Sequence, residues 1–393
     1  MKKNTFLIFV CFFLILPSPE AQSFTRFQEQ ISKTDPGDRQ TLVYRFLTAQ
    51  SEIPVIESDT IVHFLYYGNA SSVAIVGDAT AWTPILTMTR IEGTNLWYVS
   101  SSYEKDARLE YKVVVNDKDW KLDSLNRRII EGGMGSNSEL VMPGYRPAEY
   151  STKMPSALSG SVTDTVIQSM VMKEKRSIRI YLPPGYTGSH DRYPVCYFHD
   201  GIEFFNLTAA GNILDNMISG KYIRPVIAVF LEPVHRDEEY SGIRQGDYTR
   251  FVTDELSSFI DAAFRTEANP ESRAQFGISN GGNISLWIAA SHPENTGKVA
   301  AFSSNIEKSV TKAFKESSCS NQEIYLDLGT YDIPALLPMV RNLKDLLMEK
   351  GCSLSYHEYP EGHNWVFWQK YLPDALMYFF PFNIIDVDEN SVK

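Results

Sequence analysis

The chain reads as an α/β protein in which a small antiparallel β-sandwich precedes a larger, mainly parallel sheet covered by helices. Three observations predict this. From residue 60 to residue 116 apolar and polar residues alternate with a period of two, in short runs divided by Gly, Asn and Asp, the pattern of an antiparallel sandwich. Beyond residue 165 strand-like apolar runs alternate with helical stretches, which predicts parallel strands with helices on both faces. Between the two, residues 142–160 are rich in Pro, Ser and Gly and read as a linker.

The opening residues "MKKNTFLIFVCFFLILPSPEAQ" carry two lysines, an apolar stretch from Phe6 to Leu16 and a small-residue end at Ala21. This predicts a secretory signal peptide over residues 1–21 and an exported mature chain, periplasmic or secreted. Cys11 lies inside the apolar stretch instead of at its end, which argues against a lipoprotein anchor. Residues 22–150 form the front unit. It starts with two short helices, "FTRFQEQI" and "DRQTLVYRFLTAQ", parted by the helix-breaking "DPG". The sandwich strands are "TIVHFLYYG", "SSVAIVGDA", "NLWYVSSSYE" and "LEYKVVVND". Residues 151–393 form the second unit, with strands "SIRIYLP", "YPVCYFHD", "RPVIAVFLE", "AQFGI", "VAAFSSN", "EIYLDLG" and "LSYHEYP". Its helices are "YTRFVTDELSSFIDAAFRT", "ISLWIAASH", "PALLPMVRNLKDLLMEKG" and "WVFWQKYLPDALMYF".

With 393 residues, 43% hydrophobic and 22% charged, the composition is that of a folded globular chain. A formal net charge of -11 without any basic block argues against nucleic acid or an anionic membrane surface as the partner. No apolar run after the leader approaches the roughly 20 residues of a membrane span. Export leaves Cys196, Cys319 and Cys352. Cys196, in "YPVCYF", reads as a buried thiol, and Cys319 and Cys352 are candidates for a disulfide.

Chemistry concentrates on "FGISNGGN", residues 276–283, where Ser279 occupies the centre of G-x-S-x-G. With 23 glycines in the chain the pattern alone is weak. Its context is stronger, because "RAQFGI" predicts a strand before the serine and "NGGNISLWIAASHP" a helix directly after it. That is the arrangement of a nucleophile elbow, and the alternative is a helix-capping serine. A serine needs a base and an orienting acid, which in parallel-sheet hydrolases follow in the order acid, then histidine. Three histidines follow Ser279. His292 ends the helix that Ser279 opens, His357 lies inside a strand, and His363 falls in the loop "PEGHNWVFW", so His363 is the expected base. For the acid, Asp332 lies just past its strand, whereas Asp327 is within it, and catalytic groups in open parallel sheets collect at the carboxyl ends of strands. Asp332 is expected, with a helix cap as its alternative. The oxyanion hole should use the backbone N–H of Asn280 and one near Gly201 or Ile202. "HEYPEGH" is no metal signature, since its histidines are separated by a proline and cannot share a helical face. No metal or other cofactor is called for, and the nucleotide-binding glycine patterns are absent.

The stretches "HDGIEFF", "HRDEEY", "RFVTDELSSFIDAAFRT", "FGISNGGNISLWIAASHPE", "LGTYDIP" and "EGHNWVFWQKYLPDAL" together resemble the enterochelin esterase-like branch of the esterase D family, related to feruloyl and acetyl-xylan esterases. The resemblance implies an α/β-hydrolase fold, a triad of Ser279, His363 and Asp332, and a place for Arg236 and Glu239 beside the mouth of the site as substrate-binding residues. "VAIVGDATAWTPILTMTR" and "GTNLWYVS" resemble the immunoglobulin-like, glycogen-binding-type modules attached to such esterases. Trp82 and Trp97 are then candidates for stacking on substrate or for the sandwich core, and the front unit for covering one side of the cleft. The expected function is an exported serine carboxylesterase, with a carbohydrate-linked feruloyl or acetyl ester as substrate. A siderophore trilactone esterase and a non-catalytic binding protein on a hydrolase scaffold are the alternatives.

Overall fold

The structure, a computed structural model, describes residues 23–133 and 135–382. The expected signal peptide lies outside the described residues. Helix α1 (Phe24–Ser32) starts where the Ser23 hydroxyl accepts the Arg26 N–H, and it buries Phe24, Phe27 and Ile31, one face at helical spacing. Helix α2 (Arg39–Ala49) adds Val43 and Phe46 to the same small core, which also includes Leu65 and Leu96 of the sheet behind it.

The sandwich follows. Its strands are β1 (Val55–Glu57), β2 (Ile61–Tyr67), β3 (Val73–Gly77), β4 (Leu86–Thr87), β5 (Thr89–Arg90), β6 (Leu96–Ser102), β7 (Arg108–Val115), β8 (Asp119–Lys121), β9 (Ile129–Gly132) and β10 (Gly135–Val141). One sheet has the order β1-β2-β6-β5, and all its pairs are antiparallel. The other runs β3-β7-β10-β9, with β4 on β3 and β8 on β7. Alternate residues such as Val62, Phe64, Ile75, Leu109, Tyr111 and Val113 meet between the sheets as the sandwich core. The expected linker is irregular but not loose. Asn216 donates to the carbonyls of Tyr150 and Thr152 and accepts from the Met154 N–H, and Lys153 pairs with Asp215, so the segment is strapped to the second unit.

In the second unit the antiparallel edge strands β11 (Ser161–Gln168) and β12 (Lys175–Leu182) come first. Then follow β13 (Val195–His199), α3 (Gly201–Leu207), α4 (Ala210–Ser219), β14 (Ile227–Leu231), α5 (Arg236–Tyr240), α6 (Gln245–Arg250), α7 (Ser257–Ala263), β15 (Arg273–Ile278), α8 (Asn280–Ser291), β16 (Lys298–Phe302), α9 (Lys308–Glu316), β17 (Glu323–Tyr331), α10 (Leu336–Glu349), β18 (Ser353–Gly362) and α11 (Trp365–Phe379). Strand order is β11-β12-β14-β13-β15-β16-β17-β18, parallel from β14 onward. The period-2 rule decides which helix covers which face: Phe198, Phe230, Phe276 and Phe302 pack under α4 and α11, while Val195, Tyr197, Ile227 and Val229 face α8 and the α6–α7 segment. That segment was expected as one helix, but Phe251–Leu256 is π-helical. Thr249, Thr253 and Ser257 each bond a carbonyl four residues back, the kind of competing side-chain bond that loosens a helix.

One feature was not foreseen. Arg108 of β7 pairs in parallel with Glu361 of β18, so the sandwich sheet continues the hydrolase sheet as one 14-stranded array. The candidate cysteines Cys319 and Cys352 are joined in a disulfide with Cα atoms 5.4 Å apart, and Cys196 is a buried free thiol, as expected. Among the described residues no helix is long and apolar enough to cross a membrane.

Candidate active site

Ser279 stands between a fully buried strand, β15, and α8, which starts at the next residue. Its backbone is left-handed, φ 54° and ψ -120°, a strained conformation for a residue with a side chain. The surroundings enforce it. The Ser279 N–H donates to Phe302 O at 2.9 Å, and its carbonyl accepts the N–H groups of Gly282, Asn283 and Asn305. A Cβ at Gly277 would overlap the Gly281 backbone, and one at Gly282 would meet the Ser304 hydroxyl, so strand and helix approach this closely only with glycine there.

The expected acid and base, Asp332 and His363, stand just past the ends of β17 and β18, with β16 between these strands and β15. His363 lies between the last residue of β18 and the first turn of α11, and its Nδ1 is 2.7 Å from Asp332 Oδ1. A carboxylate only accepts, so Nδ1 carries the proton and Nε2 is left as the basic nitrogen. Asp332 is buried just past β17, and the same oxygen accepts the Ile333 N–H at 2.6 Å. Trp368 presses edge-on against the imidazole at 5.0 Å and limits its tilt. The rejected candidates are engaged elsewhere. Asp327 accepts from the Ser303 N–H, with burial holding its carboxyl well above the usual range. His357 bonds Ser355 on the outer part of β18, and His292 ends α8.

Of the residues implied at the mouth, only Arg236 is there. Its guanidinium lies on the Asp200 carboxylate, at 2.6 and 2.9 Å, and reaches Ile278 O at 3.4 Å. Glu239 is a correction to the sequence reading: it is fully buried and grips Arg176 of β12 through two 2.8 Å bonds while accepting the N–H groups of Val234 and His235. It ties the loop that carries Arg236 to β12. Ile202 also needs correction as an oxyanion donor, because its N–H already donates to Glu232 Oε2 at 2.9 Å. Gly201 beside it adopts φ 43°. Asn280 opens α8, where the first N–H groups have no intrahelical partner and the helix presents its positive end. His199 is buried beneath the elbow between Tyr248 OH at 3.0 Å and Gln275 Oε1 at 3.1 Å, and burial pushes it down to about 3. It is a neutral core residue that supports β15.

Ser279, His363, Asp200 and Arg236 line one cavity of about 530 Å³. Its opposite wall belongs to the front sandwich: Trp82, Trp120, Lys112 and the glycine-rich tip between β9 and β10. Trp365 and Trp368 supply two more indoles. Trp82 thus faces the cavity, its Nε1 donating to Asp78, whereas Trp97 is buried in the sandwich core. Glu203, Trp120 and Trp365 were missed from sequence; the aromatic density of "EGHNWVFWQ" was the one signal available for Trp365.

A family model described as putative esterase matches residues 169–379, more than half of the chain and the whole region that carries these strand ends. The chain belongs to this family. Among relatives of this esterase, the uncharacterized protein YjcH of Bacillus subtilis is 26% identical over 233 residues, 56% of this chain and 97% of its own length. An endo-1,4-beta-xylanase/feruloyl esterase of Xylanibacter ruminicola is 30% identical over 151 residues, and the match covers 35% of this chain and 21% of that one. In fold, the enterobactin esterase FES from Shigella flexneri superposes with a TM-score of 0.69 at 19% identity, over 85% of this chain and 97% of its own. A ferulic acid esterase superposes with a TM-score of 0.51 at 18% identity, over 57% of this chain and 99% of its own. The α/β-hydrolase-type fold and the expectation of an enzyme hold: this is a carboxylic ester hydrolase with a small β-sandwich in front of its esterase region.

Proposed function

We propose that this esterase works through a Ser-His-Asp triad of Ser279, His363 and Asp332 on an ester that carries an aromatic acyl group and is linked to carbohydrate. Ser279 Oγ attacks the ester carbonyl, His363 Nε2 takes its proton and returns it to the leaving alcohol, and Asp332 keeps the imidazole in the tautomer this needs. The N–H of Asn280, with that of Gly201 as second donor, meets the oxyanion at the head of α8. No cofactor takes part. The disulfide between Cys319 and Cys352 supports export to an oxidising compartment, in line with the leader-like opening residues. A division into a front unit of residues 22–150 and an esterase unit of residues 151–393 is part of the same reading.

One observation carries the reading: the serine on its elbow and the Asp-bound histidine line the same indole-walled cavity. The four indoles around that cavity support the substrate class, because an aryl acyl group can pack against them. The second reading, a siderophore trilactone esterase, is favoured by the extent of the likeness to the enterobactin esterase, which includes the front sandwich. Hydrolysis of feruloylated arabinoxylan oligosaccharides and of ferric enterobactin, each with the wild type and Ser279→Ala, tests both. Activity on the first substrate alone, abolished in the variant, is expected. Full activity of Ser279→Ala on a p-nitrophenyl ester overturns the triad, and failure of wild-type Ser279 to react with a fluorophosphonate would point to a binding protein.

A further inference from the structure

The loop that carries His363 is held from the front sandwich. Gly362, on one side of the histidine, lies so close to Asp78 of the sandwich that a Cβ there would overlap the Asp78 carboxyl. Asn364, on the other side, accepts the Arg108 Nη1–H at 2.8 Å and donates to Asp78 Oδ2 at 3.3 Å. Arg108 is fully buried, and its remaining bonds, to Glu110 Oε1 at 2.8 Å and Glu139 Oε1 at 2.7 Å, fix it to β7 and β10. Glu361, its partner in the parallel bridge, is buried too, with Lys370 at 3.3 Å. A buried guanidinium is costly unless it is paired, and although Nη2 has no partner among the described residues, the three acceptors of Nε and Nη1 define one position for the group. The residues on both sides of His363 are therefore referenced to the sandwich as well as to their own strand.

We infer that Arg108 is a positioning residue of the esterase, acting across the junction through Asn364 to hold His363 at the distance and tilt that catalysis requires. The inference rests on His363 being the general base. The front sandwich then has a part in the chemical step besides walling the cavity, and kcat becomes sensitive to how the two regions are joined. Asn364 also caps α11, its side chain accepting the Phe367 N–H at 3.1 Å, which suggests a variant that separates the two roles. Serine is as good an N-cap as asparagine but too short to meet Arg108.

Asn364→Ser and Arg108→Lys are each assayed in the full chain with a p-nitrophenyl ester, alone and combined, beside His363→Ala and Ser279→Ala. Misplacement of a catalytic group by about 1 Å costs on the order of 10²-fold in rate. Asn364→Ser should lower kcat by about 10- to 100-fold with KM within about threefold, at an unchanged unfolding midpoint. Arg108→Lys should do the same, and the double variant should be no worse than the poorer single one, since both cut one chain of contacts. The far-downfield Nδ1–H proton resonance of His363 should be present in the wild type and shifted or broadened in Asn364→Ser, a change that loss of stability alone does not produce. Wild-type kcat in folded Asn364→Ser, or strictly multiplicative losses in the double variant, overturns the inference. If Asn364→Ser does not fold, Arg108→Lys decides by the same kcat criterion. Inactive His363→Ala and Ser279→Ala beside a fully active Asn364→Ser would leave the triad standing and remove only the positioning role.

Discussion

Replacing Asp332 by Asn tests the triad at its most informative point. Asp332 Oδ1 accepts two bonds, from His363 Nδ1 at 2.7 Å and from the Ile333 N–H at 2.6 Å, while Oδ2 is buried with no partner among the described residues. An asparagine that keeps its oxygen toward both donors places its NH₂ in the unpartnered pocket; one that flips offers an N–H to Ile333 and drives the imidazole into the tautomer with Nε2 protonated. Either way the negative charge is gone when His363 becomes positive in the transition state. At a charge separation of about 4 Å and an effective dielectric near 20, the lost attraction is about 4 kcal/mol, close to 10³ in rate. The wrong tautomer raises the total loss to about 10⁴, the magnitude seen for this change in a serine protease triad. Steady-state hydrolysis of p-nitrophenyl acetate, with an unfolding titration to confirm the fold, measures it. A folded Asp332→Asn protein that loses less than tenfold in kcat would refute the assignment of Asp332.

Two further predictions concern the surroundings of the site. Glu239→Ala leaves Arg176 buried without its bidentate partner, so it should cost about 3–5 kcal/mol in unfolding free energy, whereas Glu239→Gln costs less and leaves KM unchanged. A raised KM at wild-type stability would return Glu239 to substrate binding. His199 lies near 3 in the folded protein against an ordinary 6.5. Between those values the unfolded state binds the extra proton, so the contribution is intact above pH 6.5 and is lost as pH falls toward 3, by at most about 1.4 kcal/mol per pH unit. Urea midpoints measured from pH 4 to pH 7 should show this slope in the wild type and a shallower one in His199→Gln; equal slopes would place the acid sensitivity elsewhere.

The local signals were legible because they are local in origin. The switch of period from 2 at "TIVHFLYYG" to alternating strands and helices after "SIRIYLP" follows from which side of each element meets the core, and the structure has those elements in that order. The serine between β15 and α8 was readable for the same reason, since glycines at 277, 281 and 282 mark a close approach wherever the chain places it. Short pieces such as β4, β8 and β9, and helices α3 and α5, were missed because a few residues carry no period, whereas α4 (Ala210–Ser219) does carry one in Ile213, Leu214 and Met217. Long-range pairing was out of reach as well. Glu239 lies four positions from the loop residue His235 and reads as a rim charge until Arg176, from an antiparallel strand some sixty residues earlier, claims it. Ile202 reads as a free amide until Glu232 reaches it.

By itself, then, the order of residues determined the kinds of elements, the conformation at Ser279 and the supply of one acid and one histidine at later strand ends. Only the tertiary structure decided that the Asp332 carboxylate meets His363 Nδ1, that the front sandwich forms the facing wall of the cavity, and that Arg108 reaches Asn364 across 256 residues of chain. Periodicity encodes which face of an element turns inward. It does not encode which distant side chain waits there, because that depends on the register of the whole sheet and on the packing of strands from distant parts of the chain, which leaves no mark within any one strand's own pattern.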